Sequence, residues 1–95
     1  MVIGMGVIRF RIHECRSLKA KRSVVKAIVS RIRNNFNASV GEVAANDVYQ
    51  RADIGFALVG TDRRLVNAKI DKLFNMVEGM GIADVYDSEM EIMSL

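Results

Sequence analysis

The chain has no tryptophan, no proline and a single cysteine, Cys15. A lone cysteine excludes an internal disulfide and a multi-cysteine metal site, and it fits a reducing compartment. The four Phe and two Tyr are scattered along the 95 residues, so no aromatic cluster marks a stacking platform. Uninterrupted apolar runs fall far short of the roughly 20 residues that cross a bilayer. The N-terminus has no basic region followed by a long apolar stretch, which predicts no signal peptide. A cytoplasmic protein with no membrane partner is the expectation.

Acidic residues are nearly missing from the first third. Residues 1–33 hold nine Lys/Arg against one acid, Glu14, and residues 34–95 hold five against ten. A net +8 is thus followed by −5, which together give the chain's +3. A concentrated field selects partners more strongly than a modest net charge does, and this one calls for an anionic partner. The length fits one domain, residues 1–95. A chain of this size buries roughly 60–65% of its unfolded surface, enough for one modest core.

Val2 to Ile12 reads as a strand, with Ile8, Phe10 and Ile12 alternating against Arg9, Arg11 and His13. Ser17 then opens a helix running to Phe36, with Leu18, Val25, Ile28, Val29, Ile32 and Phe36 on one side. Ala38–Ala44 and Arg51–Val59 read as strands around a turn at 45–47. Thr61 or Asp62 caps a second helix, whose stripe is Leu65, Val66, Ile70, Leu73, Phe74 and Val77 and which Gly79-Met80-Gly81 closes. Ala83–Leu95 is the last strand. The order β-α-β-β-α-β predicts an α+β, ferredoxin-like sandwich: a four-stranded antiparallel sheet with both helices on one face. That fold hosts many functions and selects none.

On a helical wheel, Lys19, Arg22, Lys26 and Arg33 fall in one narrow stripe of the first helix. At 1.5 Å per residue it runs about 21 Å, long enough to meet several phosphates along a nucleic-acid backbone. Cations in the first turn oppose the helix macrodipole, and an anion bound there reverses that penalty. The candidate nucleic-acid-binding set is Arg16, Lys19, Lys21, Arg22, Lys26, Arg31 and Arg33, with RNA or a ribosomal subunit as the expected partner. The competing reading of the same residues is a solvated basic face. No base-reading residue stands out, so little sequence specificity is expected.

The stretch Ser17-Leu18-Lys19-Ala20-Lys21-Arg22-Ser23-Val24-Val25-Lys26 resembles the signature of the YlxP-like family, bacterial proteins carrying the domain of unknown function 503. The resemblance continues through Phe36–Val40, Glu42-Val43, Tyr49–Ala52, Ile54-Gly55 and Thr61–Arg64. Tyr49 stands where many members have Trp. The resemblance implies a ferredoxin-like fold and no established activity. Family genes often lie near those for translation initiation and ribosome-binding factors, which implies a role in ribosome or RNA biology.

Other motifs carry less. Gly55–Val59 loosely resembles the third-strand motif of RNA-recognition-motif domains, but Ile54, Phe56 and Leu58 should point at the helices rather than at bases. His13 and Cys15 lack a second ligand pair, and no nucleophile–base pair emerges. No catalytic residue, metal site or cofactor is expected. Gly4-Met5-Gly6 lies inside a strand and is no dinucleotide fingerprint. Asp84, Asp87, Glu89 and Glu91 read as a solvated acidic edge. Arg63-Arg64 repeats the pattern of cations in a first helical turn.

The sheet face away from the helices should carry Ile3, Met5, Val7, Arg9 and Arg11, with Arg9 and Arg11 pairing Glu89 and Glu91. Ile3, Met5, Val7, Met93 and Leu95 form a candidate homodimer patch, through sheet faces or edge strands. Two other functions stay open: a protein–protein adaptor presenting the basic helix to an acidic partner, and a small-ligand regulatory domain without RNA affinity.

Overall fold

The computed structural model describes residues 1–95. Its elements are β1 (Val2–Arg11), α1 (Leu18–Asn35), β2 (Ser39–Ala44), β3 (Arg51–Gly60), α2 (Arg63–Gly79) and β4 (Asp84–Ser94). The strands are all antiparallel in the order β2-β3-β1-β4. Both helices cover one face, giving the ferredoxin-like α+β sandwich that the element order predicts. No helix is long and apolar enough to cross a membrane.

Local chemistry sets the helix ends. The Ser17 hydroxyl accepts from the Ala20 N–H at 3.1 Å and starts α1. Asp62, rather than Thr61, caps α2 by accepting from the Arg64 N–H at 2.7 Å. Helix α1 stops at Asn35, and the Phe36 N–H closes its last turn on the Ile32 carbonyl.

Ile8, Phe10, Ile54, Phe56 and Leu58 point under the helices against Ile28, Ile32, Val66, Ile70, Leu73 and Val77. Phe56 meets Phe74 edge-on at 6.0 Å between ring centroids, a favoured aromatic geometry. The strand glycines serve this packing. A Cβ on Gly4 would stand 2.6 Å from both Val66 Cγ1 and Ile70 Cδ1, so glycine lets α2 sit directly on β1. A Cβ on Gly6 would meet the Glu89 carbonyl at 2.6 Å and the Phe56 ring at 2.9 Å. Leu65 departs from the predicted α2 stripe: it is 55% exposed, because Val66, Ile70, Leu73 and Val77 already fill the buried line.

The helix-free face carries the odd-numbered residues of β1 and β3, as alternation requires. The expected pairing of Arg11 with Glu91 does not form. The β1–β4 register sets Glu91 opposite Met5, six residues from Arg11, and a bulge between Arg9 and Phe10 then sets Arg11 opposite Asp84. Arg11 instead stacks its guanidinium 5.0 Å over the Tyr86 ring.

Candidate nucleic-acid interface

Helix α1 carries Lys19, Lys21, Arg22, Lys26, Arg31 and Arg33 and no acid. The structure removes Lys21 from the candidate contacts. Its side chain is 1% exposed and points inward, forming an ion pair with Glu42 at 2.8 Å and donating to the Ala45 carbonyl. The reason is position: the buried line of α1 runs through Lys21, Ile28 and Ile32, so a cation on that line must find a partner inside. Lys21 thereby clamps α1 to the end of β2.

Arg16, Lys19, Arg22, Lys26, Arg31 and Arg33 are exposed. The six ion pairs of the chain involve Arg9, His13, Lys21 and Arg51, and none involves these α1 cations or Arg16. Arg33 donates to the Val40 carbonyl at 2.9 Å, which places the side of α1 bearing the stripe along the outer edge of β2. Arg31 lies off the stripe, and its carbonyl accepts from the Asn35 amide at 2.8 Å.

The loop from Ala45 to Gln50 joins this surface. Ala45 adopts φ 60°, a left-handed conformation that turns its carbonyl to Lys21. The Gln50 amide donates to the Cys15 carbonyl at 3.2 Å, and the Ile12 N–H donates to the Gln50 carbonyl at 2.9 Å. The loop is thus fastened to the segment leading into α1, one residue from Arg16. Tyr49, between these anchors, is 42% exposed. Cys15 is a buried thiol, with Sγ 3.5 Å from the Ser17 carbonyl.

The helix-free face treats its cations differently. Arg9 binds Asp87 at 3.0 Å and Glu89 at 2.6 Å, and approaches Asp53 at 3.7 Å. Arg51 makes a two-toothed contact with Asp53 at 3.1 and 3.0 Å. Asp53 is 2% exposed although it faces away from the helices, because these guanidinium groups roof it. The hydrogen bonds from Arg51 hold its carboxyl below the usual carboxylate range; burial opposes this, and the charges of Arg51, Arg9 and Lys21 reinforce it. His13, at the end of the first strand, meets Asp84 at 2.5 Å and gathers no metal-ligating set.

Beyond this network the same face is apolar. A shallow groove of about 630 Å³ crosses it, floored by Val7, Gly41, Gly55 and Ala57 beside Met5 and Val43. Ile3 stands opposite Met93, and the chain ends pair as Met1 with Leu95. The two open sheet edges are each blocked at one outward carbonyl. The Met1–Leu95 pair exchanges both of its backbone bonds, so alternation turns the Ile92 carbonyl outward, where Arg63 donates to it at 3.2 Å. Arg33 does the same for Val40 on β2.

The order of the charges made the stripe readable from sequence. The burial of Lys21 and of Asp53 was not, because each depends on a partner brought in from a distant strand. Tyr49 was visible as part of a family motif, and the anchoring of its neighbour Gln50 to Cys15 came only with the fold.

Residues 3–90 match the family model described as Protein of unknown function (DUF503). The uncharacterized protein YlxP of Bacillus subtilis (strain 168) is 31% identical over 77 residues, spanning 81% of this chain and 84% of that protein. The match agrees with the motifs in α1, β2 and β3.

Proposed function

We propose for this chain, which belongs to the DUF503 family, a binding rather than catalytic role: association in the cytoplasm with RNA or a ribosomal subunit through α1. The observation that carries the reading is the exposed, unpaired row Lys19, Arg22 and Lys26 on a helix without acids, widened by Arg16, Arg31 and the outer part of Arg33. Fixed cations along a rigid rod neutralise backbone phosphates and release counterions, which needs no base contact. Lys19 and Arg22 also lie near the start of α1, where the unfilled N–H groups favour an anion.

A second copy of the chain is the proposed occupant of the helix-free face. Ile3, Met5, Val7, Met93 and Leu95 supply its apolar part, with Met5 36% and Met93 42% exposed. The arginines on the Val40 and Ile92 carbonyls disfavour joining through either edge strand, which points to the face instead. Met5→Arg with Met93→Glu should convert a dimer to a monomer in sedimentation; a wild type that is monomeric at all concentrations refutes this part.

The test of the RNA reading is a salt series of binding to ribosomal RNA and to ribosomal subunits. Wild type is compared with a folded Lys19→Glu, Arg22→Glu, Lys26→Glu variant. Saturable binding should weaken with a log–log salt slope of about −0.7 per phosphate neutralised on single strands, and should fall by at least about 100-fold in the variant. Absence of wild-type binding at low salt overturns the reading and leaves an acidic protein partner or a small ligand.

A further inference from the structure

We infer that Tyr49 is a base-stacking residue and that the RNA bound is single-stranded. The inference rests on the RNA reading above and adds the form of RNA. The chain has two tyrosines. Tyr86 is equally exposed, at 42%, but its ring already carries the Arg11 guanidinium, 5.0 Å from the ring centroid. Tyr49 is 42% exposed, makes no hydrogen bond or ring contact, and adjoins Val48, itself 46% exposed. An aromatic and a branched aliphatic side by side on a polar loop stand outside the core, which includes neither of them.

The loop presenting them is held at both ends. Lys21 binds the Ala45 carbonyl, and the Val48 N–H donates to that same carbonyl at 3.1 Å. Gln50 is bonded through its side chain to Cys15 and through its carbonyl to Ile12. The loop that carries the ring is therefore fastened to Cys15, next in sequence to Arg16, and to Lys21, next in sequence to Arg22.

An exposed aromatic ring beside a row of cations suits unpaired nucleotides. The cations hold successive phosphates while a splayed base lies on the ring. In a duplex the bases are stacked on each other and offer the ring nothing. The phosphate row alone does not separate the two forms; Tyr49 does. Stacking of this kind is sequence-tolerant, in keeping with a surface that has no base-edge readers.

The chain's lack of tryptophan makes the test direct. Tyr49→Trp creates a single reporter, whose fluorescence should be quenched by a single-stranded RNA oligonucleotide and not by a duplex of the same length. Tyr49→Ala should weaken single-strand binding by about 5- to 100-fold and leave duplex binding and the salt slope unchanged, with Tyr49→Phe close to wild type. Equal single-strand affinity of Tyr49→Ala and wild type, with no quenching of the Trp variant, overturns the stacking role and leaves the basic-helix reading intact. Failure of wild type to bind any RNA, while the α1 triple variant behaves identically, overturns both.

Discussion

The sheet's helix-free face and the outer surface of α1 are both rich in cations, and the two handle them in opposite ways. On the sheet, Arg9 and Arg51 converge on Asp53, Asp87 and Glu89, and each guanidinium is matched by carboxylates from another strand or from its own. On α1, six cations share a helix without an acid, and only Lys21 reaches a carboxylate. Net charge therefore says little about availability. The sheet's cations are committed to the fold, and those of α1 other than Lys21 and Arg33 have no side-chain partner within it.

Lys21 is the exception that breaks this division, since it is an α1 cation handled as the sheet handles its own. It should show the largest effect on stability. Lys21→Ala leaves Glu42 and the Ala45 carbonyl without their ammonium, and should cost about 3 kcal/mol in urea unfolding. Lys21→Met, which keeps the volume, should cost less. RNA affinity of the folded Lys21→Met protein should match wild type. A loss of affinity as large as that of Lys19→Glu would place Lys21 among the phosphate contacts after all.

How far the sequence foretold these two regions depends on the range of the interaction. Alternation in β1 and β3, the helical stripes and the cap at Ser17 are local patterns, and each appears where its pattern lies. The α1 charge stripe is also local, set by a fixed angle per residue. The fates of individual charges are not. Lys21 faces the same way as Ile28 and Ile32, yet only the arrival of Glu42 on β2 makes its burial tolerable. Arg11 misses its expected acid because the strand register, which no local pattern sets, places Glu91 opposite Met5. Leu65 fits the apolar period and still faces solvent, since no element packs on that side of α2.

Asp53 sharpens the comparison from the sheet side. Its carboxyl is held below its ordinary value by Arg51, so the native state binds its proton less readily than the unfolded chain does. The resulting stability is fully present above the unfolded value of about 4. It is lost as pH falls through the lower, native value. Thermal unfolding of wild type should therefore drop on acidification below about pH 4 more steeply than that of Asp53→Asn. At pH 7 the Asn variant should be less stable by about 2 kcal/mol, the scale of buried hydrogen bonds to a charged group. Parallel pH curves for the two proteins would show that the network contributes nothing to folding.

The smallest effects separate a tied cation from a free one at equivalent places. Lys19 and Arg63 both lie in the first turn of a helix that has no acid there, and both oppose the macrodipole. Arg63 is tied, donating to the Ser94 hydroxyl at 3.0 Å and to the Ile92 carbonyl at 3.2 Å, and Lys19 has no partner. Lys19→Glu should therefore raise the unfolding free energy by a few tenths of a kcal/mol, of order 0.5, while lowering RNA affinity. Arg63→Ala should lower stability and leave RNA affinity alone. Opposite signs in the two assays for Lys19 are what a functional cation requires: the fold is better without it, so its presence answers to a ligand. If Lys19→Glu destabilises the protein instead, the charge belongs to the fold, and the division between the sheet face and α1 fails at the residue where it is drawn most sharply.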